Sequence, residues 1–321
     1  MPLSTIGTNQ IASGSIGTNQ LGTGNDTDSM RLPSGTTAQR PASPVAGMIR
    51  LNTTLNQTEI YNGTTWIGIG LPSLSATGGT ITRNGLFTIH TFTSSGTFTL
   101  NRAGSVDCLI IGGGGGGASG RYQGNGFWYS GGGGAGGVVY EEGLATAGTA
   151  LSVVVGNGGA LDTNGQDSSF NSLIALGGGG GGLAGGSGGG SGHGGGLPGN
   201  GNQPSSASGG YGNPGGDDLY SAPAYGAGGG GGAGGAGQNG SSSKGGNGGA
   251  GKSFDISGSS VTYASGGAGG SWNNNPYGSA PSGGGGSGVG SNATANTGGG
   301  GGAGGAGGSG IVIIRYFNGG E

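Results

Sequence analysis

Apolar residues along this chain occur in short runs, and several of these runs alternate strictly with polar positions. In residues 85–101 (GLFTIHTFTSSGTFTLN), Phe87 and Ile89 would share one face, whereas His90 and Phe92 would share the other. A period of two is typical of a β-strand, and the Ser-Ser-Gly that follows predicts a turn into a second strand. No segment longer than a few residues has helical periodicity. The pattern therefore predicts an all-β protein with no substantial helix.

Further short apolar runs are joined directly to glycine tracts. Val106–Ile111 leads into Gly112–Gly117, and a second run, Ile311–Phe317, follows the tract at 298–310. We therefore expect residues 73–321 to form one domain in which β-strands alternate with packed glycine segments.

Residues 31–72 predict a separate small β module. Strands are expected at Met48–Leu51, Thr58–Tyr61 and Thr65–Ile69, and Asn62-Gly63 between the last two is a strong hairpin signal. Tyr61 and Trp66 are the largest apolar groups. Because about forty residues make a marginal core, the module favours oligomerisation.

Residues 1–30 form a polar arm in which the sequence IGTNQ occurs twice. Its apolar positions, Ile6, Ile11, Ile16 and Leu21, recur every five residues, a period that fits neither a helix nor a strand. A monomer cannot bury four such positions, so we interpret the arm as an attachment and oligomerisation segment. The alternative is a frayed leader.

Glycine dominates the composition, with 97 of 321 residues. Collagen is excluded because the glycines occur in runs and proline totals only 11. Flexible linkers remain possible for any one run. The other interpretation is a bundle of left-handed polyproline II helices made of glycine, in which main-chain hydrogen bonds between neighbours replace apolar burial. Alanines such as Ala135 and Ala233 would then face gaps or solvent.

Charge and chemistry exclude several classes of function. The net charge is −3, only 7% of residues are charged, and no basic patch exists for nucleic acid. The single cysteine, Cys108, excludes an intrachain disulfide framework and is expected in a buried strand. No apolar run has transmembrane length and the first residues do not resemble a signal peptide. We expect no membrane insertion, and if the protein works outside a cell, we expect its release by cell lysis rather than by secretion.

Candidate catalytic groups are few and scattered. His90 and His193 lie far apart, and the side chains of the adjacent pairs Glu141-Glu142 and Asp217-Asp218 would diverge on an extended backbone. The many Gly-x-Gly-x-x-Gly matches arise by chance in glycine runs. We therefore expect no catalytic residues, no metal site and no cofactor, and the chain is not predicted to be an enzyme.

Loops rich in aromatic and polar residues interrupt the glycine runs, and these loops are the part of the sequence that points to a binding function. Tyrosine, tryptophan, asparagine and serine are typical of adaptable recognition surfaces, and aromatic faces with Asn or Asp neighbours suit sugar rings. The candidate receptor-binding residues are Tyr122, Phe127, Trp128, Tyr129, Tyr211, Asp217, Asp218, Tyr220, Tyr225, Trp272, Asn274 and Tyr277. The alternative is that these side chains cap the bundle and form its core.

Several stretches resemble proteins of tailed phages. RPASPVAGMIRLNTTLNQTEIYNGTTW is similar to a module of phage virion proteins, in which Arg-Pro-x-x-Pro precedes a strand and a Tyr-Asn-Gly-x-x-Trp hairpin. FTIHTFTSSGTFTL, CLIIGGGGGG and GGSGIVIIRY resemble the glycine-rich terminal domain of phage tail fibres, including the tip adhesins of T-even-like phages. The chain departs from those adhesins by carrying its own arm and β module.

This resemblance implies a virion protein that is extracellular after host lysis. Its expected partners are a host receptor, either a saccharide or an outer-membrane protein, and other virion proteins through the arm, and it is expected to be a homotrimer. The alternative is a purely structural virion component, such as a head fibre, decoration or tail appendage. A glycine-rich wall or ice-binding protein and a depolymerising enzyme fit the sequence less well.

Overall fold

A computed structural model describes residues 32–55, 57–69, 74–123, 126–128, 130–192, 196–204, 209–272 and 276–318, with 121–123 and 126–128 as backbone. This part of the chain forms two compact units, residues 32–69 and Leu74–Asn318. It is all-β as predicted, because its helical content is limited to one 3-10 turn, Thr37–Gln39. The predicted arm positions Ile6, Ile11, Ile16 and Leu21 lie outside the described residues.

The first unit is a four-stranded sheet in the order β1-β2-β3-β4. The strands are β1 (Ser34–Gly35), β2 (Ile49–Asn52), β3 (Gln57–Tyr61) and β4 (Trp66–Ile69). The last three form the predicted antiparallel meander, and β1 pairs in parallel with β2. In the β3–β4 turn, Gly63 has φ +102°, a conformation that glycine adopts without strain.

The first unit has a polar interior on one face of its sheet, a feature that the sequence did not predict. Glu59 is fully buried and accepts two hydrogen bonds from Arg40, at 3.2 and 2.6 Å. Asn52 donates to the same carboxylate at 3.0 Å, and Arg50 lies 3.5 Å from it. The bonds from Arg40 outweigh the effect of burial and hold the pKa of Glu59 below its ordinary value.

The second unit contains two large antiparallel sheets. The six-stranded sheet has the order β16-β12-β9-β19-β7-β6, and the five-stranded sheet has the order β15-β14-β13-β8-β5. The strands of the first are β6 (Thr80–Asn84), β7 (Phe87–Phe92), β9 (Gly104–Ile111), β12 (Val138–Thr146), β16 (Gly210–Tyr211) and β19 (Ile311–Phe317). Those of the second are β5 (Ala76–Thr77), β8 (Gly96–Leu100), β13 (Ala150–Val154), β14 (Ser168–Phe170) and β15 (Leu173–Ala175).

Two hairpins complete the second unit. One pairs β10 (Arg121–Gln123) with β11 (Gly126–Trp128), and the other pairs β17 (Lys252–Phe254) with β18 (Val261–Tyr263). The second hairpin occupies the segment KSFDISGSSVTY.

The six-stranded sheet buries apolar side chains on both of its faces. On one face, Cys108 and Ile314 pack with Phe98 and Phe170 of the five-stranded sheet. On the other face, Leu109 and its neighbours form a second core that includes the β17–β18 hairpin. The members of this second core are Ile89, Leu109, Ile111, Ala135, Val138, Ala233, Ile256, Tyr263, Ala264, Ile311 and Ile313. Strands buried on both faces explain the continuous apolar runs CLII and IVII.

The glycine runs hydrogen-bond with a period of three. Successive N–H groups from Gly112 to Ala118 donate in rotation to three neighbouring segments, and every third residue returns to the same segment. The acceptors are carbonyl groups of residues 131–137, 163–166 and 305–308. Carbonyl groups of the same run accept from three further segments, 159–162, 178–181 and 301–304. Three residues per turn is the period of the polyproline II helix, so the predicted packed polyglycine segments are confirmed.

The close packing of these helices depends on the absence of Cβ atoms. A Cβ added at Gly114 would lie 1.9 Å from the carbonyl oxygen of Gly299, far inside van der Waals contact. Alanine is accommodated where the helices meet the apolar core, since Ala135 and Ala233 are buried there. The expectation that these two alanines face gaps or solvent is therefore wrong.

A glycine-to-alanine substitution should separate packed from open positions in this bundle. We expect Gly114→Ala to lower the free energy of unfolding by about 3 kcal/mol, because the obstructing atom belongs to a fixed backbone. Gly196→Ala is the matched control, because a Cβ there meets nothing within 4 Å, and it should change stability by less than about 0.5 kcal/mol. Urea denaturation measures both. Equal stability of the two variants would contradict the packed arrangement.

His90 is a fully buried titratable group in the core between the two large sheets. Its ring lies 5.1 Å from Phe98 and 5.7 Å from Tyr316, measured between centroids. Nδ1 lies 2.7 Å from the carbonyl oxygen of Gly78, which can only accept, so Nδ1 carries the proton. No described residue bonds to Nε2. Burial therefore lowers the pKa of His90, although the bond to Gly78 opposes this effect.

The lowered pKa of His90 predicts a loss of stability in mild acid. As the pH falls below about 6.5, His90 of the unfolded chain takes up a proton before His90 of the folded chain does, so unfolding becomes more favourable. The slope is at most about 1.4 kcal/mol per pH unit for one proton. His90→Asn retains a donor for Gly78 and should remove this dependence in urea denaturation between pH 7.5 and 5. An unchanged slope would contradict the assignment.

Candidate functional site

The bundle of glycine helices has two different ends. We call the packed six-stranded and five-stranded sheets the sandwich. At one end of the bundle the helices continue into its strands, since Gly112 follows β9, Gly137 precedes β12 and Gly310 precedes β19. The other end begins after Ala118. Ala118 follows Gly112 by six residues, so at ~3.1 Å per residue it lies roughly 19 Å from Gly112 along the helix. Loops connect the helices there.

We call this far end the tip. Main-chain bonds hold the last layer of the bundle, from which the tip loops emerge: Ala118 donates to Gly131, and Gly270 donates to Ser130. Gly228 in turn donates to Ser191. The tip consists of the described residues within 119–130, 160–163, 181–184, 191–197, 217–226, 241–244 and 271–277.

Three predicted site residues meet at the tip although they come from two separate loops. The ring of Tyr225 lies 5.1 Å from that of Tyr220 and 6.5 Å from that of Trp272, measured between centroids. The backbone fixes this arrangement, because the Trp272 N–H donates to the carbonyl oxygen of Ala224 at 2.7 Å. Tyr225 has φ +44°, a left-handed conformation that is uncommon for a residue with a side chain. Tyr220 is 67% exposed, whereas the other two rings are half-buried.

Two predicted carboxylates lie at the base of the same loop. The Ser191 hydroxyl is fully buried and lies 3.0 Å from Oδ1 of both Asp217 and Asp218. The same hydroxyl accepts a hydrogen bond from the backbone N–H of Asp218 at 2.6 Å. The Asn239 side chain accepts from the N–H of Asp217 at 2.9 Å. The prediction that adjacent carboxylates must diverge is therefore wrong here, because a turn held by Ser191 brings both Oδ1 atoms to one hydroxyl.

Other predicted site residues lie in the hairpin and loops of the tip. The β10–β11 register places Tyr122 opposite Phe127 and Arg121 opposite Trp128. Tyr277 is at the tip and is 41% exposed. Tyr129 and Asn274, which were also predicted, lie outside the described residues.

Tyr211 does not belong to this group of residues. It lies on β16 at the sandwich end, where it pairs with Val138. Its ring contacts Phe254 at 6.1 Å between centroids, and the Lys252 ammonium lies 4.3 Å from the ring centroid. Tyr211 therefore packs on the second core, and the structure separates it from the predicted site residues of the tip.

The tip also exposes aliphatic side chains that the sequence analysis did not select. Leu197 is 81% exposed, and the others are Leu161, Leu183 and Leu219. Leu161, Leu183 and Leu197 are each a lone large apolar residue in a polar or glycine-rich segment, such as GGLAGG or GGLPGN, whereas Leu219 precedes Tyr220. That pattern could have identified them, because such a leucine has no apolar neighbours with which to form a core.

The chemistry available at the tip is stacking, apolar contact and hydrogen bonding.

The cysteine of the chain lies elsewhere. Cys108 is in the core of the sandwich, where burial raises its pKa to about 12, so its thiol is protonated and unreactive. Within the described ranges, no group of three or more His, Cys, Asp or Glu side chains is placed to hold a metal ion. That part of the chain also contains no helix long and apolar enough for a membrane span.

Comparison with known proteins identifies the second unit. No curated protein matches the chain. A family model described as a glycine-rich domain matches residues 92–317, which include the polyglycine bundle and every strand of the sandwich from β8 onward, whereas β5, β6 and almost all of β7 precede the matched range. The chain therefore belongs to the glycine-rich domain family.

Proposed function

We propose that this protein is a fibre protein of a tailed-phage particle and that its tip attaches the particle to the host cell surface. The sequence resemblance to phage tail fibres supports the proposal, and so does the geometry of the second unit. In this proposal the protein belongs to the virion and meets the host outside the cell, after lysis of the previous host.

The observation that carries the proposal is the position of Tyr220, Tyr225 and Trp272. Other large aromatic side chains, such as Phe98 and Phe170, are fully buried in the sandwich. The three tip rings lie instead at the end of a main-chain scaffold, and Tyr220 and Tyr225 share a loop with two carboxylates and the exposed Leu219. Rigid aromatic groups next to adaptable polar groups are typical of recognition surfaces.

The first unit supports a role in assembly. Ile49, Ile60 and Ile67 are directly opposite one another on β2, β3 and β4, so they share one face of the sheet. Ile49 is 42% and Ile67 45% exposed. We propose that contacts between copies in a homotrimer, or with another virion protein, cover this apolar face. Three copies would also multiply a weak tip site through avidity.

Cell binding tests the attachment function. Labelled full-length protein should bind the bacteria on which the particle grows and should slow adsorption of the particle. Trp272→Ala should weaken binding by about 2 kcal/mol or more, the loss expected for a central aromatic contact. Phe317→Ala is the matched control, because Phe317 is an exposed aromatic residue on the last strand of the sandwich and should leave binding unchanged.

Two results would contradict attachment through the tip. One is a folded full-length protein that neither binds the cells nor competes with the particle. The other is equal binding by the Trp272→Ala variant and the unsubstituted protein.

A purely structural virion component is the second candidate function. The half-burial of Tyr225 and Trp272 favours it, because rings that pack on each other can close the end of the bundle without contacting a receptor. Immunogold labelling of particles separates the two functions. Gold on the adsorption apparatus supports attachment, and gold on the head or on the tail shaft supports the structural function.

A further inference from the structure

The tip combines aromatic rings with hydrogen-bond acceptors on one loop, residues 217–226. The backbone N–H of Leu219 donates to the carbonyl oxygen of Gly226 at 2.9 Å and closes the loop that carries Tyr220 and Tyr225. Asp217 and Asp218 immediately precede this closure. The rings and the carboxylates are therefore held on the same short segment, and the bond from Trp272 to Ala224 adds the third ring.

Oδ1 is the oxygen through which the described residues hold each carboxylate. The Ser191 hydroxyl approaches Oδ1 of both residues, and the N–H of Asp218 donates to Oδ1 of Asp217 at 3.0 Å. Among the described residues, none donates to Oδ2 of either group. Asp217 is exposed and Asp218 is half-buried. Each carboxylate thus keeps one acceptor oxygen that no described residue uses, and the exposed Asp217 can offer its oxygen to a ligand from outside.

This combination matches the chemistry of a pyranose ring. One face of such a ring presents C–H groups, which can pack on an aromatic face, while its rim presents hydroxyl donors. Hydrogen bonds from hydroxyl groups to a carboxylate are short and strong because the acceptor is ionised. Two adjacent carboxylates also repel sulfate, phosphate and uronate groups, so the site favours neutral or amino sugars.

We propose that Tyr220, Tyr225, Trp272, Asp217 and Asp218 form a binding site for a neutral or amino sugar of a bacterial surface polysaccharide. This inference rests on the proposed attachment function and specifies its ligand. The aromatic rings stack on the sugar, and the two carboxylates accept its hydroxyl protons.

Chemical treatment of the cells tests the ligand class. Periodate cleaves vicinal diols of sugars, whereas proteinase removes surface proteins. Labelled full-length protein should lose its binding after periodate treatment and retain it after proteinase treatment. Binding that survives periodate and is lost after proteinase overturns the saccharide assignment but leaves attachment standing. Absence of binding to untreated cells overturns both proposals.

Substitutions test the assigned residues with a defined probe, lipid-free polysaccharide released from those cells by mild acid. Tyr220→Ala, and separately Asp217→Asn with Asp218→Asn, should each weaken its binding about tenfold in calorimetric titration. The double asparagine variant keeps oxygens for the Ser191 hydroxyl and so preserves the loop. Phe317→Ala should bind like the unsubstituted protein. Unchanged affinity in the folded Tyr220→Ala and double asparagine variants would overturn the site.

Discussion

Main-chain hydrogen bonding between helices without side chains is the constraint on which the second unit depends. Buried N–H and C=O groups must be paired, and here they are paired between segments rather than within a helix or a single sheet. The geometry works only where no Cβ intervenes, as the short approach of Gly114 to Gly299 illustrates. This explains how a chain with 97 glycines can be ordered, although such a composition taken alone also fits flexible linkers.

The sandwich supplies what a glycine bundle lacks, which is a means of fixing register. One glycine helix resembles another, so hydrogen bonds alone would allow neighbours to slide by a turn. Strands β9, β12 and β19 run directly into or out of the bundle, and their side chains lock into two apolar cores. The last strand of the described chain, β19, lies between β9 and β7 in the middle of its sheet. The register of the glycine helices therefore depends on complete formation of the six-stranded sheet.

The sequence predicts those elements whose information is local. Alternation identified the strands around His90, and the Asn62-Gly63 turn placed the β3–β4 hairpin, because period and turn chemistry reside in neighbouring residues. The buried Glu59 with Arg40 and the meeting of Tyr225 with Trp272 depend on contacts between distant segments, so no local pattern reports them. Glycine runs are the extreme case, since they carry no side-chain pattern from which neighbours could be inferred.

The same physics explains why specificity would be concentrated at the tip. Inside the bundle a side chain collides with a carbonyl group, so large residues are confined to the sandwich, the outer surface and the loops. Main-chain bonds join the tip loops to one another, as from Trp272 to Ala224, and to the bundle, as from Gly270 to Ser130, and these bonds do not depend on the identity of the side chains. A scaffold of this kind tolerates changes of the exposed residues and holds them rigidly. Rigid presentation lowers the entropic cost of binding, so even a few aromatic rings and carboxylates can form a useful site.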